Sequence, residues 1–215
     1  MDGTGLCRFC LRDGVPLTRE HVFARWLVTR LHASRATFAG RGPRYATPAT
    51  RIAQLVTSVC GSCNAGWMSG LEVSFRQAVF ARSRPERLAA PTRAVLSRWF
   101  TKTATLVADA VGEELIPSRQ WSELTSAMPV DIRVGLTRLR NPRQPLDLAL
   151  GYAEDTDDPG GRLTSVAVQV DDLVGVVART PSATPRATTL WPIRSHVLRW
   201  ATLPVVNRLS DVTGG

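Results

Sequence analysis

Apolar positions change their period part-way along the chain. Val22, Phe23, Trp26, Leu27 and Leu31 recur at helical spacing behind Thr18, a residue suited to cap a helix, and predict a helix from about residue 19–22 to about 32. Residues 33–49 hold Gly40, Gly42, Pro43 and Pro48 and read as loop. Ile52, Leu55, Val56 and Val59 suggest a strand within 50–59. From Asn64 to about Arg82, Trp67, Met68, Leu71, Phe75, Ala78 and Val79 line one helical face, and Pro85 and Pro91 end that run. Val95, Trp99, Thr103, Leu106 and Ala110 form the stripe of a third helix over 92–111, closed by Gly112. A shorter helix near 118–127 follows Pro117.

Beyond residue 129 the period falls to two. Val130, Ile132, Val134 and Leu136 alternate with polar or small neighbours, as do Leu146, Leu148, Leu150 and Tyr152, and then Val166, Val168 and Val170. Leu173 to Ala178 is a short buried-type run, and Asp155 to Gly161 reads as a turn or exposed loop. The acidic cluster at Glu154–Asp158 is a solvated loop on this reading, with calcium binding a poor second. The expected fold class is α+β: a mostly helical N-terminal half, then a sheet-rich antiparallel C-terminal half. The expected segments are 1–84, a helical 85–128, and a β-rich 129–215.

The charge follows the same division. Residues 1–110 carry 16 Lys and Arg against 6 Asp and Glu, a balance of +10, whereas residues 111–215 carry 11 against 12, a balance of −1. A polyanion would therefore dock on the N-terminal half. Arg25, Arg30, Arg35, Arg41, Arg44 and Arg51 are the candidate phosphate contacts, with Gly40-Arg41-Gly42-Pro43-Arg44 as a basic loop. Hydrophobic residues make up 44% of the 215, enough for a sizeable core. No apolar window has the length of a membrane span, and the N-terminus lacks a signal-peptide layout, so a cytoplasmic protein is expected.

All four cysteines fall in two Cys-x-x-Cys pairs, Cys7/Cys10 and Cys60/Cys63, with 49 residues between the pairs. Four thiolates suit a closed tetrahedral zinc site of the structural kind. A redox pair is the competing reading, but neither pair has the strand-then-helix setting that a thioredoxin-like pair needs. Between the pairs lies Glu20-His21, and Asn64 directly follows Cys63. An imidazole titrates near neutrality, so His21 can take a proton from water. A carboxylate and an amide oxygen are hard ligands suited to Mg²⁺ or Mn²⁺. Asn64 can equally cap the helix that follows, using the same oxygen. Glu72 lies eight residues after Asn64, about 12 Å along a helix, and is expected to pair with an Arg. His32 and His196 stand outside this context.

Cys7, Cys10, the segment Glu20-His21-Val22-Phe23 with Trp26-Leu27, and the run Cys60-x-x-Cys63-Asn64-x-Gly66-Trp67-Met68-Ser69-x-Leu71-Glu72 together resemble the HNH endonuclease superfamily, in its branch with two zinc-binding Cys-x-x-Cys pairs. The resemblance covers roughly residues 5–82. It implies a ββα-metal core with the Glu20-His21 pair at the end of the first strand. His21 would be the general base, Glu20 and Asn64 the ligands of a catalytic Mg²⁺ or Mn²⁺, and the four cysteines the ligands of a structural Zn²⁺. The family's central Asn has no counterpart: no Asn occurs between His21 and Cys60, and position 55 is Leu. Gln54 is the nearest amide able to orient the base, with Thr57 a weaker candidate. The implied activity is hydrolysis of phosphodiester bonds in DNA. The alternatives are a catalytically degenerate, zinc-stapled nucleic-acid-binding module, and a domain with a protein partner.

Overall fold

The computed structural model describes residues 3–38, 50–82, 86–155, 158–179, 186–193 and 197–213. Arg41, Arg44 with the basic loop around them, and His196 lie outside the described residues. The chain is α+β, with an antiparallel-rich sheet in its C-terminal half.

The N-terminal half is built on a three-stranded sheet in the order β1-β2-β5. Strand β1 is Thr4–Gly5, β2 is Val15–His21 and β5 is Val56–Cys60. A two-stranded ribbon, β3 (Thr37–Phe38) with β4 (Thr50–Arg51), lies between β2 and β5 in sequence. Strands β2 and β5 pair antiparallel with Leu17 opposite Cys60, Glu20 opposite Thr57 and His21 opposite Val56.

The helix expected from residue 19–22 begins later. Residues 15–21 are strand, and helix α1 is confined to Arg25–Arg30. The physical reason is a partner the local pattern does not reveal. The β-branched Val56, Thr57 and Val59 of β5 favour an extended neighbour, and five consecutive register pairs outweigh the helical spacing of Val22, Phe23 and Trp26. Val22 and Phe23 are both buried, in the bend between strand and helix rather than on one helical stripe.

Beyond β5 the chain enters α2 (Gly61–Cys63), a π-type turn (Asn64–Met68) and α3 (Ser69–Phe80), with a kink at Gly66. Helix α4 (Ala90–Ala110) is the central element. The sequence predicts a single buried stripe for it; instead every residue from Thr101 to Ala108 is buried, with Leu96, Ser97, Trp99 and Phe100 before them, while Val95 and Ala110 are only half-buried. The helix is enclosed because α3, β5 and the large sheet all pack on it. Phe75 of α3 stacks on Trp99 at 3.6 Å between centroids, and Phe100 meets Phe75 edge-on. On the sheet side Gly175 makes room: a Cβ there would lie 2.2 Å from the Phe100 ring.

A 3-10 helix, Ser118–Thr125, stands where a short helix was expected. The large sheet has the order β10-β6-β9-β8-β7, with β11 parallel on β6. Its strands are β6 (Ile132–Leu139), β7 (Leu146–Asp155), β8 (Asp158–Val170), β9 (Leu173–Arg179), β10 (Thr188–Trp191) and β11 (Val205–Val206). Strands β7 and β8 reach further than their alternation suggests. Asp155 pairs with Asp158, so most of the expected 155–161 loop is ladder, with bulges near Tyr152 and Ala153 absorbing the irregular register. A short helix, α5 (Ser210–Thr213), ends the described chain. One continuous core joins both halves, from Cys7 through Trp99 and Val134 to Leu203. Among the described residues no helix is long and apolar enough to cross a membrane.

Candidate functional site

The pairing of β2 with β5 solves the problem posed by the long gap between the cysteine pairs. Setting Leu17 opposite Cys60 returns the chain to the turn that carries Cys7 and Cys10. That turn is held by Cys7 N–H to Arg12 O and Leu11 N–H to Cys7 O, with Leu11 in the left-handed region at φ 57°. Phe9, between the two cysteines, is fully buried against Trp67 and Trp121. Cys60 ends β5, and Cys63 sits in the first helical turn, its N–H donating to Cys60 Sγ at 3.4 Å.

The four Sγ atoms lie within 4.8 Å of one another. Cys7 and Cys63 are 3.9 Å apart and Cys10 and Cys60 are 3.6 Å apart, with no disulfide. A tetrahedral zinc with ordinary Zn–S bonds has sulfur–sulfur edges of about 3.8 Å. The donor set and its spacing therefore fit a zinc ion. Electrostatics point the same way. Burial pushes the Cys63 thiol up, as do the neighbouring Cys60 and the charge of Cys7. Burial also opposes ionisation of Cys10, but hydrogen bonds from Arg12, helped by Cys60 and Cys7, bring it down to about 6. A cation held at the centre would take all four as thiolates. Arg12 reaches this cluster from outside: its Nε donates to Cys10 Sγ at 3.4 Å and its Nη2 faces Cys60 Sγ at 3.9 Å.

A second group of polar residues adjoins the cysteines. Glu20, at the penultimate position of β2, is near enough to the Asn64 side chain, just beyond Cys63, for that amide to favour its ionised form. Burial raises the Glu20 pKa; the Lys102 charge and the neighbouring Asn64 amide oppose that rise, Glu72 adds to it, and His21 opposes it. Glu20, Asn64, His21, Glu72 and Lys102 thus form one electrostatic neighbourhood.

No protein-family model, curated protein or solved structure matches this chain.

The expectation that Glu72 pairs with an arginine is corrected. Its partner is Lys102, at 2.6 Å, and the same carboxylate accepts from Trp26 Nε1 at 3.1 Å and Trp99 Nε1 at 2.8 Å. Helix α4 thus brings one cation that serves both Glu20 and Glu72. Lys102 was missed from sequence, although it is the chain's single lysine among 27 Lys and Arg. Asp109 was also missed. It accepts from Thr57 Oγ1, opposite Glu20, and from Arg8 in the cysteine turn, tying α4 to β5 and to the zinc-type site. Thr57, a weaker candidate for orienting the base, has its hydroxyl committed to Asp109.

His21 and Gln54 line one groove of about 490 Å³, together with Arg19, Ala53 and Val56. Strand alternation sends neighbouring side chains to opposite faces, so Glu20 faces the helices while His21 faces this groove. Among the arginine candidates, Arg25, Arg30, Arg35 and Arg51 are exposed. Arg30 lies over the Phe80 ring at 4.6 Å, a packing role. His32 is exposed, with φ 51°.

Proposed function

We propose that the chain is a metal-dependent HNH-type endonuclease acting on DNA, with the four cysteines holding a structural zinc. The observation that supports it most is the placement of Glu20 beside Asn64, where a strand pair runs directly into a helix next to the four-cysteine cluster. The resemblance to the HNH superfamily implies that arrangement, and a carboxylate beside an amide is a fitting oxygen donor pair for Mg²⁺ or Mn²⁺, which retain several of their own waters.

In this reading Glu20 and Asn64 would hold the divalent ion; bound there, it would supply charge neutralisation for the phosphate and the leaving oxygen. Asn64 would offer that ion its amide oxygen. Lys102 keeps Glu72 engaged and limits the negative charge around Glu20. His21, at the end of β2, accepts the proton of the attacking water, and Gln54 on the same groove orients its ring. Arg12 and Asp109 hold the cysteine turn against β5, the strand paired with the one that carries Glu20 and His21.

The binding-module reading draws on one observation, the placement of Glu20 and His21 on opposite faces of β2. The two faces meet only at the strand's end, and there His21 is the last residue. Plasmid cleavage with Mg²⁺, Mn²⁺ and Ni²⁺, run beside a zinc-replete His21→Ala protein, separates the two: cleavage by the wild type alone supports the nuclease, and none by zinc-loaded wild type supports the binding module.

A further inference from the structure

The arginines of the basic half divide by what they touch. Arg8 is committed to Asp109, Arg12 to the cysteine thiols, and Arg98 to the carbonyls of Leu124 and Thr125. Arg30 and Arg76 lie over aromatic rings. Arg19, like Arg25, Arg35 and Arg51, is exposed, and among the described residues its guanidinium makes no hydrogen bond or ion pair; unlike them it lines the groove that holds His21. It sits two residues before His21 on β2, so both side chains leave the same face of the strand, about 7 Å apart.

That face is the groove lined by Arg19, His21, Ala53, Gln54 and Val56, whose side chains include no carboxylate. Across the ladder Arg19 is opposite exposed Ser58, and His21 is opposite Val56. The carboxylate of this strand pair, Glu20, faces the other way, toward Asn64 and Lys102. One strand pair, β2 with β5, thus separates the two signs: an acid on the helix-facing side and, on the groove side, a cation with no partner among the described residues. An anionic partner is favoured on the groove side by charge alone, and a side chain with a planar, doubly donating head is well matched to a phosphate.

We propose that Arg19 binds the phosphodiester backbone of the substrate, seating a phosphate of the strand in the groove beside His21. This rests on the nucleic-acid reading of the site and names a contact that reading does not contain. Arg19 positions the strand and takes no part in bond breaking, so its loss acts on binding and leaves the turnover of bound substrate nearly unchanged.

The test uses the full chain, zinc-loaded and carrying His21→Ala so that binding is read without cleavage, with a fluorescent duplex DNA as the probe. Adding Arg19→Gln is expected to weaken binding about tenfold at low salt and to flatten the slope of log K against log salt by about 0.9. Arg19→Lys keeps most of the slope. Arg140→Gln, an exposed charge beyond β6 in the other half, leaves slope and affinity unchanged. The assignment is overturned by an unchanged slope in Arg19→Gln at full zinc content, by equal losses in Arg19→Gln and Arg140→Gln, or by absence of DNA binding in the parent. The nuclease reading fails independently: a wild type that binds DNA through Arg19 but cuts none with any divalent ion keeps this inference and loses that one.

Discussion

Replacing Lys102 with methionine should be among the most damaging single substitutions in the chain. The ammonium is almost fully buried, with 2% of its side chain exposed, and the Glu72 side chain is 13% exposed. Glu72 Oε1 takes both Lys102 at 2.6 Å and Trp99 at 2.8 Å, while Oε2 takes Trp26 at 3.1 Å. Methionine preserves the length and apolar stem but leaves a buried carboxylate with two indole donors and no countercharge. Breaking a buried pair from one side costs about 3–5 kcal/mol. For a domain of this size that is a fall in melting temperature of about 6–20 °C. Adding Glu72→Gln to the Lys102→Met variant removes the stranded charge while keeping an oxygen for the indoles, so the double variant should recover at least about half of the loss. Urea and thermal unfolding of zinc-saturated proteins read both values. A loss below about 1 kcal/mol in Lys102→Met, or a double variant whose loss equals the sum of the singles, would refute the account of this pair as a buried, desolvated interaction.

Two further outcomes follow from the geometry. The protein should carry one zinc per chain by elemental analysis, and Cys63→Ala should lose it and melt well below the wild type; retention of full zinc content by that variant would contradict the four-thiolate site. Asp147 is held above the usual carboxylate range chiefly by burial, against the hydrogen bond from Leu148 N–H and the neighbouring Gln144 amide. Its folded form therefore binds the proton more tightly than its unfolded form, so this group's contribution falls as pH rises from the ordinary carboxylate value through the raised one. Asp147→Asn should accordingly gain stability relative to wild type at pH 7 compared with pH 4, measured by urea titration at both; an equal difference at the two pH values would count against it.

How legible the chain was depended on whether an element's partner was visible in its own pattern. The alternation of Val166, Val168 and Val170 reads directly because β8 pairs with β7 and β9, its neighbours in sequence, and that of Val134 and Leu136 reads because no helical stripe overlaps it. The cysteine pairs announced their cluster through residue type alone. Strand β2 was hidden because its partner β5 lies more than thirty residues on, and because Val22, Phe23 and Trp26 mimic a helical stripe. Helix α4 was found, but its enclosure was not, since Ser97, Thr101 and Lys102 look like solvent-facing positions until two other layers close over them. The same blindness concealed Lys102 and Asp109 as partners of the β2–β5 site. Glu20, His21 and Asn64 drew attention by chemistry and order; what the sequence withheld was that Glu20 and His21 face opposite sides of one strand.

The central claim is that His21 and the Glu20–Asn64 pair form a phosphodiester-cleaving site beside a structural zinc. Its most direct test is cleavage of supercoiled plasmid by the purified, zinc-loaded chain with added Mg²⁺ or Mn²⁺, compared with His21→Ala at equal zinc content. The account predicts nicking and linearisation by the wild type, their loss on chelation of the added ion, and none by His21→Ala. Equal cleavage by both proteins, or none by a folded, zinc-replete wild type with any divalent ion, would contradict it.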